Sequence, residues 1–455
     1  MESAAVQARQ TPLFTRQALT RLIVPLVIEQ FLLMSVGMMD TVMVTTAGQA
    51  AVSGVSLVDN INQLIIQIFS ALSTGGAVVV SQYLGRRDPE NARTASRQLL
   101  YTVFTMAILL MALALVFRQH VLSLLFGNIE PDVMDSALVY FLTTALAYPF
   151  ISLYNAGAAL FRSMGNSKVS MFNSLIVNLV NVVVNAVLIY GFGMGALGAG
   201  IGTLVSRIVA AVFILILLRH PDNVLRIDGV FHVHLRFDMI RRILTIGIPN
   251  GLENGLFQAG KLVVLSLITT FGTNAVAANA IDNSIAGVVN VPGLAIGLAM
   301  ITVVGQCMGA GDDRQAVAYT KKLVGLVYLS MGILSILMFC LAGPLCSLFA
   351  LTPEATAMAV EVLRWCAVFD LLIWPLAFTL PNALRASGDV MFTMAVSMGS
   401  MFLFRIASSY FLSCDWGMGL GLLGVWLGMI IDWGVRSLIF VPRFLSGRWK
   451  RHKVI

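Results

Sequence analysis

The stretch PLVIEQFLLMSVGMMDTVMVTTAGQAAV at residues 25–52 returns 224 residues later as PNGLENGLFQAGKLVVLSLITTFGTNAV at residues 249–276. The two copies share a proline, a glutamate four residues after it, a Thr-Thr pair and a glycine. Farther along, Gln82, Gly85 and Asp88 recur as Gln306, Gly309 and Asp312 at the same offset. Chance similarity between hydrophobic sequences does not keep polar anchors and helix breakers in step, so the chain contains an internal duplication.

The composition places both copies in a membrane. Of 455 residues, 58% are hydrophobic and only 11% are charged, which lies outside the range of soluble globular proteins. A helix of about 20 apolar residues crosses the hydrocarbon core, and duplicated membrane halves are typical of secondary transporters. We predict an all-α membrane protein with twelve transmembrane helices in two pseudo-symmetric six-helix lobes, related as a parallel repeat. The helices are predicted at 19–46, 50–81, 97–117, 136–160, 169–191, 196–218, 240–271, 275–307, 320–343, 359–383, 392–413 and 419–441.

The basic residues indicate the orientation. Most Lys and Arg residues lie near the two ends and in the loops that follow even-numbered predicted helices. Both termini are therefore expected in the cytoplasm, with the protein in the cytoplasmic (inner) membrane. The net charge of +7 reflects this bias and not nucleic-acid binding, and the basic tail is a candidate for contact with anionic lipid. The predicted domains are an N-terminal segment 1–18, an N-lobe 19–218, a cytoplasmic linker 219–239, a C-lobe 240–441 and a basic tail 442–455.

Ionisable residues within the predicted helices point to ion coupling. Such residues cost at least about 2.5 kcal/mol at membrane depth, so they normally face a cavity or a partner. We count more acids than bases, and a surplus of buried acid is what a proton- or sodium-coupled transporter of cations needs. The acids are Glu29, Asp40, Asp59, Glu253, Asp282, Asp370 and Asp432, and the bases are Arg207, Lys261, Arg405 and Arg436.

Asp40 is the leading candidate for the coupling acid. Its repeat counterpart is Val264, so the carboxylate belongs to one half only. Glu29 and Glu253 occur in both halves, each one turn after a proline that can kink its helix. For these two, a structural gate and a substrate contact are equally compatible with the sequence. Together with Asp370 and Trp374, they are our candidates for the lobe interface or for substrate contact.

Other polar positions have plainer interpretations. Asp432 and Arg436 are four residues apart with the acid first, the order that favours a helical ion pair. Asn181 and Asn185 share one helix face, where amides serve packing as well as binding. We find no GxxxxGK[ST], HExxH or GxSxG motif and no metal-ligand spacing among the cysteines. We therefore expect no enzymatic activity and no cofactor beyond a coupling ion.

Several motifs together resemble the multidrug and toxic compound extrusion (MATE) family over nearly the whole chain. They are Pro25 with Asp40-Thr41, the Gln-x-x-Gly turns Gln82/Gly85 and Gln306/Gly309, and the Arg-x-x-Gly elements 161–166 and 384–389. The first-lobe motifs are closer to the DinF-like branch. In that branch, the resemblance implies a cation-coupling site that falls here on Asp40, Asn181, Asn185 and Thr203. Asn185 stands where the family pattern often has Asp, which removes one negative charge and favours proton over sodium coupling.

These features predict a secondary active antiporter. It would export organic cations or amphiphilic drugs across the cytoplasmic membrane by alternating access of two lobes, driven by inward proton or sodium flow. We expect small-molecule substrates, membrane lipid as surroundings, no nucleic-acid partner and a monomer. The alternative is a flippase for lipid-linked saccharides, whose cavity generally needs cations to hold a pyrophosphate. A membrane scaffold or receptor is a third, weaker alternative.

Overall fold

The computed structural model describes residues 12–127, 130–227, 234–349, 351–452 and 454–455. Within these ranges the regular structure is helical and contains no β-strand, as the sequence predicts. Parts of the predicted N-terminal segment, linker and tail, at residues 1–11, 228–233 and 453, lie outside the described residues.

Helices follow one another along the whole chain, joined by short turns. In the first half they are α1 Arg16–Val44, α2 Gln49–Gly85, α3 Pro89–Phe126, α4 Pro131–Leu146, α5 Tyr148–Ser163, α6 Ser167–Asn185 and α7 Gly195–Leu218. In the second half they are α8 Phe237–Thr269, α9 Thr273–Gly309, α10 Asp313–Ser347, α11 Pro353–Leu372, α12 Pro381–Ser387, α13 Val390–Gly399, α14 Ala407–Ser413 and α15 Gly421–Leu445. Three π-helical stretches lie between them, at Ala186–Gly191, Pro375–Thr379 and Ser400–Ile406.

Many of these helices are long and apolar enough to cross a membrane. Among the described residues nine helical segments meet that criterion, and ten do if the bent pair α4 and α5 counts as one span. α8, which carries Asn250, Glu253 and Lys261, is not among them. All twelve predicted helices nevertheless correspond to helical segments of the structure.

Some helix boundaries in the structure differ from the predicted ones, and the differences have local causes. α10 begins at Asp313 rather than at 320, because the Asp312 side chain accepts a hydrogen bond from the Gln315 N–H and caps the first turn. The single helix predicted at 136–160 is bent by 46° between α4 and α5. Pro149 lies in the first turn of α5, where its missing N–H costs no helical hydrogen bond. The same proline prevents α4 from continuing as one straight helix. The helix predicted at 359–383 is likewise interrupted, by the π-helical stretch that begins at Pro375.

The chain forms two compact units. The C-unit comprises the described parts of Met1–Val27, Ser81–Asp88 and Ala259–Ile455, and the N-unit comprises Ile28–Val80 and the described parts of Pro89–Gln258. Each unit therefore combines most of one sequence half with short sections of the other. The N-unit core is built around side chains such as Phe69 and Tyr148, and the C-unit core around side chains such as Met300 and Phe440. The lobe boundaries proposed from the sequence remain a prediction.

The two Gln-x-x-Gly turns meet inside the C-unit. A Cβ placed on Gly85 would overlap the carbonyl oxygen of Gln306, and a Cβ on Gly309 would overlap the carbonyl oxygen of Gln82. The Gln82 amide also donates to the Ala386 carbonyl oxygen at 2.8 Å. Glycine is required at both positions because the ends of α2 and α9 approach backbone to backbone.

Candidate functional site

Asp40 lies near the end of α1, within the N-unit, and three of the four predicted coupling residues meet there. The Asn185 side-chain N–H₂ donates to a carboxylate oxygen of Asp40 at 2.7 Å and to the Asn181 side-chain oxygen at 3.3 Å. Asn181 and Asn185 are fully buried on α6, and Asp40 is half-buried. Two buried amides therefore lie beside a half-buried acid.

The other asparagines of α6 explain how the helix is held. The Asn178 side chain donates to the Leu32 carbonyl oxygen of α1 at 2.9 Å, and the Asn173 side chain donates to the Ala210 carbonyl oxygen of α7 at 3.0 Å. The sequence left packing and binding open for the amides of this helix. In the structure, Asn173 and Asn178 donate to backbone carbonyls of neighbouring helices, whereas Asn185 donates to the side chains of Asp40 and Asn181.

Thr203, the fourth predicted residue, lies on α7 beside a glycine that makes room for Asn185. A Cβ at Gly202 would overlap the side-chain oxygen of Asn185. That oxygen and the Thr203 hydroxyl oxygen are both buried, and neither has a hydrogen-bond partner among the described residues. Buried polar atoms are normally satisfied, so each such atom requires an explanation. We name Asp40, Asn181, Asn185 and Thr203 the acid–amide site.

Three charged or polar neighbours complete the surroundings of this site. Asp59 and Arg207 are close enough to Asp40 to interact with it electrostatically, one by repulsion and one by attraction. The Tyr140 hydroxyl donates to an Asp59 carboxylate oxygen at 3.0 Å. The sequence singled out Asp59 and Arg207 as membrane-depth charges but did not link them to Asp40. It gave no signal for Tyr140, which lies on α4.

Glu29 belongs to a different part of the N-unit. Its carboxylate forms an ion pair with Arg162 at 3.1 Å and accepts a hydrogen bond from the Ser170 hydroxyl at 2.6 Å. Arg162 is the arginine of the first Arg-x-x-Gly element, so the pair joins α1 to the end of α5 and the start of α6. Glu253 is also buried in the N-unit, on the section of α8 whose Gly247 packs against Leu72. Neither glutamate is hydrogen-bonded to Asp40 in the contacts described above.

The remaining candidates lie inside the C-unit. Asp370 is fully buried and accepts a long contact of 3.5 Å from the Cys366 thiol. Asp282 is equally buried on α9, and both its carboxylate oxygens are without a hydrogen-bond partner among the described residues. Trp374 is 5% exposed and packs over Gly293 and beside Phe378, with ring centroids 5.1 Å apart. The structure therefore places Trp374 in the core of the C-unit.

The predicted Asp432–Arg436 pair is present and belongs to a larger set of charges. Arg436 donates from Nε to the Asp432 carboxylate at 2.9 Å and from its terminal nitrogen to the Ser397 carbonyl oxygen at 3.1 Å. The Ser400 hydroxyl donates to the same carboxylate. Arg405 interacts electrostatically with both members of the pair, and Lys261 with Arg405. We name Lys261, Arg405, Arg436 and Asp432 the basic cluster.

The acid–amide site offers the ligand types that a hard cation prefers. Carboxylate, amide and hydroxyl oxygens are the usual ligands of such ions, and the site supplies one of each from Asp40, Asn185 and Thr203. In the part of the chain that the structure describes, no group of three or more His, Cys, Asp or Glu residues is arranged to hold a metal ion.

Comparison with known proteins reports the same duplication. The MatE family model matches twice, over residues 25–187 and 249–411, at the offset of 224 residues seen in the sequence. A probable multidrug resistance protein NorM of Thermotoga maritima is 26% identical over 446 residues, covering 97% of this chain and 94% of its own length. A probable multidrug resistance protein YoeA of Bacillus subtilis is 25% identical over 465 residues, covering 99% of both chains.

Solved structures show a similar fold. An outward-facing multidrug resistance MATE family transporter of the MOP superfamily superimposes with a TM-score of 0.88 at 20% identity, over 97% of this chain and 98% of its own. A MATE structure in complex with MaD3S gives a TM-score of 0.88 at 19% identity, over 97% of this chain and 98% of its own. At these identities the likeness concerns the fold, and it agrees with twelve helical spans. The two family matches cover most of the chain, and the chain therefore belongs to the MatE family of multidrug efflux transporters.

Proposed function

We propose that the protein is a secondary active antiporter that exports organic cations or amphiphilic drugs from the cytoplasm, driven by inward proton flow through the acid–amide site. The observation that carries this proposal is the Asn185–Asp40 contact of 2.7 Å beside the buried, unpartnered oxygens of Asn185 and Thr203. Family membership favours efflux over the flippase alternative. The relatives named above are described as probable multidrug resistance proteins, which supports export of drug-like molecules.

Asp40 is the group that changes charge. When it is protonated, the Asp40–Asp59 repulsion disappears and the attraction of Arg207 is lost with it. The hydrogen bond from Asn185 stabilises the ionised carboxylate. Loading and unloading of a proton therefore changes the interactions that join α1 to α2, α6 and α7, the four helices that carry these residues.

Proton entry supplies enough energy for concentration of a substrate. A membrane potential of about 100 mV contributes about 2.3 kcal/mol per charge moved, which corresponds to a gradient of about fifty-fold. Sodium remains the alternative coupling ion. The acid–amide site contains one carboxylate rather than two, so it has less negative charge to balance a bound cation. A proton is therefore favoured over sodium.

The test is dye efflux from vesicles that contain the purified full-length protein, with pH and sodium gradients imposed separately. We expect ethidium transport to follow the pH gradient. Asp40→Asn fixes a neutral side chain of similar volume, so it should insert and bind ethidium but lose the response to either gradient. The matched control is Asp132→Asn, which removes an exposed acid from the first turn of α4. If Asp40→Asn pumps at the native rate with the native pH profile, coupling lies elsewhere, and Glu253 or Asp370 becomes the better candidate.

The orientation is part of the proposal. We infer from the basic residues that both termini face the cytoplasm and that the protein acts as a monomer with small-molecule substrates. A tag at either end should be reached only from the cytoplasmic side, whereas a cysteine introduced at residues 345–358, in a variant whose five native cysteines are replaced, should react with an impermeant reagent from outside. The reverse labelling pattern would overturn this topology.

A further inference from the structure

One side of α2 is polar along much of its length, although the helix is apolar enough to cross a membrane. The polar side chains recur at alternating spacings of three and four residues, which places them on a single helix face. None of them is buried, and Gln67 lies at the midpoint of the 37-residue helix. We name this set the α2 polar face: Ser53, Ser56, Asn60, Gln63, Gln67, Ser70 and Thr74.

The exposed side chains of α2 differ from those of a helix that faces lipid. Between residues 50 and 85 the exposed side chains are those of Ser56, Asn60 and Gln63, and all three are polar. On α3, by contrast, large apolar side chains are exposed, such as Leu109 at 55% and Val116 at 72%. Exposed amides are costly in hydrocarbon, because nothing there replaces their hydrogen bonds with water. We therefore expect the α2 polar face to meet water at membrane depth.

The amides of this face have hydrogen-bonding groups that the fold does not use. The Asn60 side chain donates to the Ser56 carbonyl oxygen at 2.9 Å, within its own helix. The Gln63 and Gln67 side chains form no hydrogen bond with another residue in the part of the chain that the structure describes. An amide both donates and accepts, so each can bind a polar group of a ligand.

A negative charge borders the same face. Asp59 lies three residues after Ser56 and four before Gln63, so it neighbours both on the helix surface. Its side chain is half-buried, and its carboxylate accepts a hydrogen bond from the Tyr140 hydroxyl at 3.0 Å. The α2 polar face thus combines free amides with an adjacent carboxylate, a combination that suits a cation with hydrogen-bonding groups.

The amides belong to one copy of the duplicated sequence. At the offset of 224 residues, the places of Asn60, Gln63 and Gln67 are taken by Ser284, Gly287 and Val291. Side chains that the repeat needs in order to fold are expected in both copies, as Gln82 and Gln306 are. The three amides are therefore expected to serve a function of the N-unit alone.

We propose that the α2 polar face lines the aqueous path of the exported molecule and that the amides of Asn60, Gln63 and Gln67 bind its polar groups. This inference rests on the proposed function and narrows the substrate to organic cations that carry hydrogen-bonding groups, such as aromatic amines. The Asp59 carboxylate attracts the positive charge of any cation. A cation without polar groups gains that attraction but no hydrogen bond from the amides.

The first experiment tests whether the face meets water. Cysteine replaces Gln63 or, as a matched control, the exposed Leu109, in a variant whose five native cysteines are replaced. A charged thiol reagent is supplied on both sides of lipid vesicles that contain the protein. We expect Gln63→Cys to react at least about tenfold faster than Leu109→Cys, because the reagent does not enter hydrocarbon. Equal rates at the two positions, or no reaction at Gln63→Cys, would overturn the inference.

The second experiment tests substrate selection. Ethidium carries aromatic amines, whereas tetraphenylphosphonium is a cation without hydrogen-bonding groups, and binding of each to the purified full-length protein is measured by calorimetry. Gln63→Leu and Gln67→Leu should each weaken ethidium binding about fivefold, the amount expected for one hydrogen bond, and leave tetraphenylphosphonium binding unchanged. The control is Thr105→Val, which removes an exposed hydroxyl from α3 and should alter neither affinity.

Equal weakening for the two cations would overturn the inference, and so would native ethidium binding by both leucine variants. These outcomes are separate from the proposed function, which fails only if ethidium efflux ignores both gradients. A protein that pumps ethidium in response to a gradient but binds both cations normally after Gln63→Leu and Gln67→Leu would leave the antiporter proposal intact and remove this one.

Discussion

The acid–amide site and the basic cluster occupy corresponding helices of a duplicated sequence, yet they carry opposite charge. On the first helix of each repeat, Asp40 corresponds to Val264 and Gly37 corresponds to Lys261. Within one turn, an acid has been exchanged for an apolar residue and a glycine for a base. The residues that shape the backbone, such as Pro25/Pro249 and Gly48/Gly272, are the same in both copies. Duplication has thus kept the scaffold and changed the polar chemistry it carries.

The two sites also differ in how their charges are balanced. Asp40 is half-buried, and the hydrogen bond described for its carboxylate comes from the neutral Asn185 amide rather than from a cation. Asp432 is fully buried between Ser400 and Arg436, and Arg405 interacts with it electrostatically. Its charge is required by its surroundings. The comparison therefore predicts that the same chemical change will affect function at Asp40 and stability at Asp432.

The largest expected effect is that of Asp432→Asn on stability. The substitution removes the carboxylate that pairs with Arg436, and breaking a buried ion pair in this way costs about 3–5 kcal/mol. We expect low yield and a clearly lower melting temperature of the purified protein. Asp40→Asn, the same change in the other site, should melt close to the unaltered protein. Equal melting temperatures for the two variants would contradict the comparison.

A second prediction concerns the space that Gly202 leaves for Asn185. The Cβ of Gly202→Ala would overlap the Asn185 side-chain oxygen and turn its amide away from Asp40. We expect the gradient-driven efflux rate to fall about tenfold, as for loss of one buried hydrogen bond to a charged group. Gly325→Ala is the control, because a Cβ there meets nothing within 4 Å. Native efflux by Gly202→Ala would show that the amide position is not needed.

A smaller effect is expected from Tyr140→Phe. The change removes the hydroxyl that donates to Asp59 at 3.0 Å and so alters the charge nearest to Asp40. Loss of this bond should reduce proton-driven efflux by about fivefold and change its pH profile. Tyr148→Phe is a matched control, since its hydroxyl donates to the neutral Asn62 at 2.9 Å. Identical pH profiles for the two variants would show that the Tyr140–Asp59 hydrogen bond does not affect coupling.

The smallest effect is expected from Asn185→Asp, which tests whether the charge of the site selects the coupling ion. It places a second carboxylate beside Asp40, and two acids balance a bound sodium ion better than one. We expect transport to continue, with the ratio of sodium-driven to proton-driven efflux raised by about threefold, roughly the factor expected for a modest electrostatic change. The measurement is ethidium efflux under each gradient alone. An unchanged ratio would indicate that charge count at this site does not select the ion.

The sequence predicts the helices well because apolar runs of membrane length and a repeat at fixed offset are strong signals. It also identifies the Asp432–Arg436 pair, since partners one helical turn apart are close in any helix. It does not reveal the π-helical stretch at Arg405, because the choice between α and π geometry depends on tertiary packing such as that of Gly260 on Met401.

The sequence predicts only some of the contacts between distant segments. Asp40 and Asn185 are 145 residues apart, and only family resemblance linked them beforehand. Tyr140 was not identified from the sequence, because a tyrosine within an apolar helix has the same pattern whether it fills the core or orients an acid. The interruption of the helix predicted at 359–383 was missed for a related reason. Proline inside a membrane helix is common, so Pro375 did not by itself indicate a break.

The close approach of Gly85 to Gln306 is matched by that of Gly309 to Gln82, so the contact between the two turns is reciprocal. A contact in which residue i of one copy touches residue j of the other, and j touches i in return, is the signature of an isologous two-fold interface. Such an interface is self-complementary, so it can form between identical chains before any linker joins them. The crossing of α2 and α9 thus has, within a single chain, the symmetry of a homodimer contact, as expected where two copies of one duplicated sequence meet.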